Sequence, residues 1–308
     1  MKTIEIIIPI FNEEDNIVPL YEAISKETNQ LAYNFKLKFI DDGSSDTSWE
    51  KVLNLSSKYN NISGIKLTRN FGHQSAIDAG IQSSVGTSLI IMDADLQDDP
   101  KYIKEFIESW EKGAQIVLAK RISRKEGIFR RIITSIFFLI QNKISDISIP
   151  KNVGHFSFLD SEVVLQLKKF PEKTKYLNGL RAYVGYEIAF VDVVKNKRYS
   201  GKSKMSYLRL IRLGLSGVFG FSTKPLNAIG VLGLIISFGS ILVSLVSLVY
   251  KFKFGVNVLG WTFGLSSIYF LSGIQLLSIS ILGYYIGTVF KEVKSRPNFI
   301  IKDSFNCE

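Results

Sequence analysis

SLIIMDADLQDDPKYIKEFIESWEKGAQIVLA, residues 88–119, holds an apolar run (Ser88–Asp93), a cluster of acids, an amphipathic stretch from Pro100 to Trp110, and a second apolar run (Gln115–Ala119). Short apolar runs alternating with stretches of helical length are the pattern of parallel strands joined by crossover helices. Pro100 fits a helix start, where its missing donor is tolerated. Upstream the same alternation repeats, with strands expected at Ile4–Ile10, Leu37–Asp41 and Ser63–Leu67 and helices at Glu13–Thr28, Asp46–Tyr59 and Ser75–Ser84. From Thr3 to about Arg121 the chain therefore reads as one α/β domain with a mostly parallel sheet.

Downstream the pattern changes. Leu226–Tyr250 is 25 residues without a charge and Gly255–Phe290 is 36 more, each beyond the ~20 apolar residues a membrane-spanning helix needs. Buried core helices would not be so long, so a two-helix transmembrane hairpin is expected over 226–290. Arg209, Arg212 and Lys224 precede it, and Lys291, Lys294 and Arg296 follow it. Such flanks place both ends on the cytoplasmic side. Two basic amphipathic stretches lie between the domain and the hairpin. One, over 128–145, carries Phe129, Ile132, Ile133, Ile136, Phe137, Ile140 and Ile144 on a single helical face; the other carries Leu208, Ile211, Leu215 and Val218. Either could lie in a membrane interface or pack on the sheet. The resulting division is a catalytic domain at 1–200, a basic loop and juxtamembrane helix at 201–225, the hairpin at 226–290 and a cytoplasmic tail at 291–308.

Composition bounds the partners. The chain has 308 residues, with 38 Lys and Arg against 28 Asp and Glu, a net charge of +10. Phosphate-bearing substrates, anionic lipids and nucleic acid would all suit that excess. The single cysteine, Cys307, can form no internal disulfide, which fits a reducing compartment. The first apolar stretch is broken by Pro9, Asn12, Glu13 and Glu14 and is too short for a signal peptide, so the α/β domain is expected to be cytoplasmic.

In an open α/β sheet, ligands bind beyond the carboxyl ends of the strands. Pro9-Ile10-Phe11-Asn12-Glu13, Asp41-Asp42-Gly43-Ser44-Ser45-Asp46 and Asp93-Ala94-Asp95-Leu96-Gln97-Asp98-Asp99 all fall there. Two carboxylates separated by one small residue can hold Mg²⁺ or Mn²⁺ against substrate phosphates. Taken alone the pair is equally a turn or capping feature.

The ordered set IPIFNEEDNI (8–17), IDDGSSD (40–46), LTRNFGHQSAIDAGI (67–81), MDADLQDDP (92–100) and KRYSGKSKMSY (197–207), followed by the apolar pair, resembles the family 2 glycosyltransferases of GT-A fold. Within them it is similar to the polyprenyl-phosphate type, and the likeness spans essentially the whole chain. The resemblance implies that Pro9, Glu13 and Asp42 contact the donor nucleoside, with turn formation and capping as their alternative roles. Asp93, Asp95 and Gln97 would hold Mg²⁺ or Mn²⁺ against the donor diphosphate. Arg69-Asn70-Phe71-Gly72 would floor the donor site. Arg198, Ser203 and Lys204 would close a basic loop over the diphosphate. Arg121 with Arg130 or Arg131 would take the acceptor phosphate, although adjacent arginines also serve as solvated or lipid-facing charges.

The sequence departs from the pattern at one motif. Many members carry Asp-Phe-Arg after a Gly-containing turn, and here Gly154 is followed by His155-Phe156-Ser157. His155 could stand in as the base or be a packed residue. A lipid phosphate, with its second pKa near 6, is already largely a dianion at neutral pH and needs little deprotonation.

The implied activity is an inverting transfer of a hexosyl group from a UDP- or GDP-linked sugar to polyprenyl (undecaprenyl) phosphate on the cytoplasmic leaflet of the cell membrane. Two alternatives stand beside it: transfer to a hydroxyl of a lipid-linked saccharide or protein, and a non-catalytic nucleotide-sugar-binding membrane protein. Membrane lipids are expected partners and nucleic acid is not. A homo-oligomer is left open.

Overall fold

The computed structural model describes residues 2–122, 150, 152–173, 175–194, 224–254 and 261–307. The stretches around Arg130 and Arg131, the 128–145 helix, and the loop carrying Arg198, Ser203 and Lys204 lie outside the described residues.

Five strands and four helices alternate as the sequence predicts: β1 (Thr3–Ile10), α1 (Ile17–Thr28), β2 (Asn34–Asp41), α2 (Ser48–Lys58), β3 (Ile62–Leu67), α3 (His73–Ser83), β4 (Ser88–Ile91), α4 (Tyr102–Glu111) and β5 (Ile116–Arg121). There follow β6 (Val153–Leu159), α5 (Ser161–Lys169), α6 (Leu177–Tyr183), β7 (Ile188–Val193), the long helices α7 (Lys224–Phe254) and α8 (Trp261–Val293), and β8 (Ile301–Phe305). The eight strands form one sheet in the order β7-β5-β6-β4-β1-β2-β3-β8. Pairing is parallel for β1 with β2 and β4, β2 with β3, and β5 with β7; β6 runs antiparallel between β4 and β5, and β8 antiparallel on β3.

Helices cover both faces, which explains why β1 reads as a nearly continuous apolar run rather than an alternating one, interrupted at Glu5, whose carboxylate pairs with Lys38 at 2.9 Å. Ile4, Ile6, Ile8 and Ile10 pack with Leu20, Ile24 and Phe106 on one side, and Ile7 packs with Ala76, Ile77 and Leu89 on the other. Each such side chain taken from water contributes about 1.5–3 kcal/mol. On the second face α3 lies close to β1. An added Cβ at Gly80 would stand 2.5 Å from Ile7 Cγ2.

Three helices start later than their sequence pattern suggests, α4 at Tyr102 rather than Pro100 among them. Glu13 and Glu14 are engaged by the next loop, the Glu13 amide donating to Ser48 Oγ (3.0 Å) and the Thr47 amide to Glu14 Oε2 (3.1 Å), so α1 begins at Ile17. Asp46 Oδ1 accepts the Ser48 amide at 3.1 Å, and α2 begins there.

α7 and α8 bury little. Val231, Ile235, Phe238, Leu242 and Val246 on α7, and Tyr269, Phe270, Leu276, Ile286 and Phe290 on α8, are exposed. So much apolar surface is not stable against water and calls for a lipid or protein cover. Among the described residues one stretch, Ser267–Val293, is long and apolar enough to cross a membrane; Leu226–Ser240 is a shorter apolar stretch. Two long helices thus occupy the stretch expected as a hairpin, and among the described residues one of them holds a stretch that meets the length criterion. The tail does more than trail from α8. Its residues Ile301–Phe305 become β8, with Gly64 opposite Phe305.

Candidate active site

The polar residues just beyond the strands converge at one edge of the sheet. β4 pairs with β1 only as far as Ile7 and Ile91. Beyond that point β1 continues through Pro9, whose missing N–H falls where β1 has lost a neighbour. Asn12, next in the turn, has a φ of +53° and Leu96, just after β4, one of +56°. Backbone held in that region by non-glycine residues is costly and clusters at functional sites. Asn12 is held there by Ser44, whose Oγ accepts its amide at 2.9 Å, and by Ser45, whose amide donates to Asn12 Oδ1 at 2.8 Å.

Asp42 lies just past β2 and is buried. Its carboxylate accepts the amides of Phe71 (2.7 Å) and Gly72 (2.9 Å), tying the Arg69–Gly72 loop to the β2 end. Burial raises its pKa, and the two amide bonds oppose that rise by favouring the charged form. Gly43 makes the approach of the two loops possible. With φ of +72°, it would set a Cβ 2.5 Å from the Arg69 carbonyl carbon and 2.7 Å from the Asn70 nitrogen.

Asp93, Asp95 and Gln97 follow β4. Asp95 is buried, and its Oδ1 accepts the Gln97 amide at 3.1 Å. Asp93 Oδ1 lies 3.3 Å from His73 Nε2, on the first turn of α3. Burial alone would depress the His73 pKa, but the bond to Asp93 and the charges of Asp93, Asp42 and Asp95 outweigh it, and the net shift is upward. As a donor set, two carboxylates and an amide oxygen suit a hard cation that completes its shell from water and phosphate. Among the described residues no cluster of three or more His, Cys, Asp or Glu is assembled to cage a metal by protein ligands alone. The residues fit an ion shared with a substrate.

The departing motif closes the site. β6 runs antiparallel beside β4, which brings its first residues to the same edge as the ends of β1, β2 and β4. A register shift between Leu118 and Lys120 bends the β5–β6 pairing there. Beside it Arg121 lies over Gly154, where any Cβ would collide with its guanidinium. His155 and His73, the two histidines of the chain, sit with ring centroids 4.8 Å apart. The Gln74 amide nitrogen is 3.2 Å from His155 Nε2, and His155 Nδ1 is buried with no partner. Burial first, then the His73, Arg181 and Arg121 charges, push the His155 pKa down to about 3, against a smaller opposing effect of Asp93. The ring is therefore neutral at pH 7, and so weak a base is poorly matched to proton abstraction there.

Sequence reading missed Arg181. On α6 and fully buried, its guanidinium donates to Gly154 O (2.8 Å), Ser157 Oγ (2.7 Å) and Asn178 Oδ1 (2.5 Å). It holds the strand that carries His155 from behind. Burial lowers its pKa to about 10, which leaves it charged at neutral pH. The signal was available: Leu177, Leu180 and Arg181 share one helical face. The structure thus gathers Pro9, Glu13, Asp42, Asp93, Asp95, Gln97, Arg121 and His155 at one sheet edge.

The sequence model of "Glycosyl transferase family 2" matches residues 5–167. An uncharacterized glycosyltransferase of Synechocystis is 35% identical over 306 residues, covering 99% of this chain and 96% of the relative. A prophage-derived bactoprenol glucosyl transferase of Shigella flexneri is 37% identical over 303 residues, covering 98% of each chain. Among solved structures, glucosyl-3-phosphoglycerate synthase from Mycobacterium tuberculosis superposes with a TM-score of 0.51 at 16% identity, over 71% of this chain and 78% of that one. That likeness concerns the fold alone, which is the GT-A α/β fold. With its motifs in order and near full-length relatives of the same kind, the chain belongs to glycosyl transferase family 2 and is a glycosyltransferase.

Proposed function

We propose that this glycosyltransferase moves a glucosyl or related hexosyl unit, with inversion, from a nucleotide sugar to polyprenyl phosphate at the cytoplasmic face of a membrane. The observation that carries this reading is the convergence of Asp42, Asp93, Asp95 and Arg121 on one sheet edge in a chain that continues into long apolar helices. The bactoprenol glucosyl transferase of Shigella flexneri supports the choice of acceptor and sugar.

Asp42, fixed by the Phe71 and Gly72 amides, orients the donor nucleoside together with Pro9 and Glu13. Asp93 and Asp95, with Gln97, would hold Mg²⁺ or Mn²⁺. Such an ion supplies neutralisation of the charge that develops on the departing nucleoside diphosphate. Arg121, joined by Arg130 and Arg131, positions the acceptor phosphate. The phosphate oxygen attacks the anomeric carbon, a carbon–oxygen bond forms, and the bond to the nucleoside diphosphate breaks. The nucleophile is already anionic near neutral pH, so no side chain has to take a proton. The neutral His155 fits a wall of the site better than a base. Arg198, Ser203 and Lys204 are assigned to donor-diphosphate binding by their place in the motif at 197–207.

Strands β7 and β8, on either side of the long helices in sequence, lie in one sheet, which supports an even number of membrane crossings between them, with α7 and α8 as the pair. To test the function, membranes containing the full chain are incubated with a panel of labelled UDP- and GDP-sugars, Mg²⁺ or Mn²⁺, and undecaprenyl phosphate. Label should enter the organic phase from one donor and be lost in Asp95→Ala or with chelator. Absence of lipid-borne label from every donor would refute the reading.

A further inference from the structure

The residues that follow α8 are stitched to the segment that carries the active-site loop. Ile300 O accepts the Thr68 amide at 2.9 Å. Asn298 Nδ2 donates to Asp78 Oδ2 at 3.3 Å, and Lys175 Nζ lies 2.8 Å from Asp78 Oδ1. Glu292, in the last turn of α8, accepts the Lys173 amide with both oxygens, at 2.9 and 3.1 Å. Phe299 and Phe71 pack against the same apolar cluster.

The Ile300 and Asn298 bonds hold the stretch 68–78 directly, while Glu292 holds Lys173 in the loop before α6, whose Lys175 pairs with Asp78. The 68–78 stretch in turn touches Asp42, Asp93 and His155. Its Phe71 and Gly72 amides fix Asp42, His73 meets Asp93, and Gln74 meets His155. Its last residue, Asp78, is buried on α3, a helix pressed so closely on β1 that Gly80 admits no side chain. A rigid path thus joins the end of the long apolar helix to the donor carboxylates.

We propose that Glu292, Asn298 and Asp78 are positioning residues that fix the donor site at a set depth and tilt relative to the end of α8, so that it meets a phosphate held at the membrane surface. The proposal rests on the lipid-phosphate reading above. Contacts of this sort act on one substrate selectively. Loosening them leaves the donor pocket assembled but lets its distance from the bilayer drift, and a misplacement on the order of 1 Å can cost about 100-fold in rate.

The test uses the full chain reconstituted in phosphatidylethanolamine–phosphatidylglycerol vesicles containing undecaprenyl phosphate, with the donor identified for the wild type. Asn298→Ala combined with Glu292→Ala spares the Asp78–Lys175 pair and is compared with Asn298→Gln combined with Glu292→Asp, which keeps the donor and the acceptor. The first should raise KM for the lipid phosphate about tenfold or more, with the donor Kd and the melting temperature unchanged, and the conservative pair should restore much of the loss. Wild-type transfer with the same lipid KM in the first variant overturns the inference alone. A parallel loss of donor affinity and melting temperature also overturns it, since the ties would then be merely structural. No transfer to lipid phosphate by the wild type overturns the functional reading and this inference together.

Discussion

Replacing His155 by Asn probes the departing motif through the pH dependence of folding. In the unfolded chain this imidazole has the ordinary value of 6.5, whereas in the folded protein it is pushed down to about 3. Below pH 6.5 the unfolded state binds a proton that the folded state refuses, so the unfolded state gains as the pH falls. The stability associated with a neutral buried ring is fully present above pH 6.5 and drains as the pH drops toward 3. At about pH 5 the ring lies 1.5 units below its unfolded value, which corresponds to a loss of about 2 kcal/mol. His73 works in the opposite sense, since its pKa is raised, but it is present in both proteins and its effect largely cancels in the comparison. Urea titrations of detergent-solubilised wild type and His155→Asn, followed by the fluorescence of Trp49 and Trp110, would be run at about pH 7.5 and pH 5. The wild type should lose about 2 kcal/mol more than the variant between the two conditions. A wild-type-minus-variant difference that does not change with pH would show that the ring titrates normally, and the account of a neutral, buried His155 would fall.

Gly43→Ala should destabilise the α/β domain by about 1–3 kcal/mol, from the left-handed backbone and the collision with Arg69 together. It should also weaken donor binding, because the amides held by Asp42 move with that loop; a calorimetric titration with unchanged donor affinity would count against the loop coupling. Arg181→Lys keeps the charge but not the fork, leaving carbonyl or hydroxyl groups of β6 without a donor. A cost of about 1–3 kcal/mol in urea is expected, with lower kcat at unchanged donor KM, and wild-type stability would show that the guanidinium is dispensable to the strand.

The parallel half of the fold is legible because its strands are largely buried on both faces, so that β1, β4 and most of β5 are written as apolar runs and β2 keeps Phe35, Leu37 and Phe39 at alternate positions. β6 is different. Gly154, His155 and Ser157 interrupt it for reasons that belong to the site: room for Arg121, contact with His73 and a seat for Arg181. No period in the sequence announces those needs. β8 reads Ile-Lys-Asp-Ser-Phe and lies on an edge with most of its side chains exposed, so its strand character comes from its partner β3 rather than from its own pattern. The acids at strand ends are visible in sequence because loop carboxylates follow apolar runs, and Asp42, Asp93 and Asp95 meet as expected. The part played by His73 is not, since it depends on how α3, packed on β1, brings its first turn to the residues that follow β4.

The antiparallel strand β8 bears on how the protein is made. Its partner β3 ends at Leu67, whereas β8 begins at Ile301, so the ribosome has delivered everything between them before the pair can form. Until then the edge of β3 presents unpaired amides and carbonyls, an invitation to association with other chains. The long apolar helices α7 and α8 are synthesised in that interval. A chain cut short before residue 301 therefore keeps an open edge on β3, whereas one carried through β8 has that edge covered.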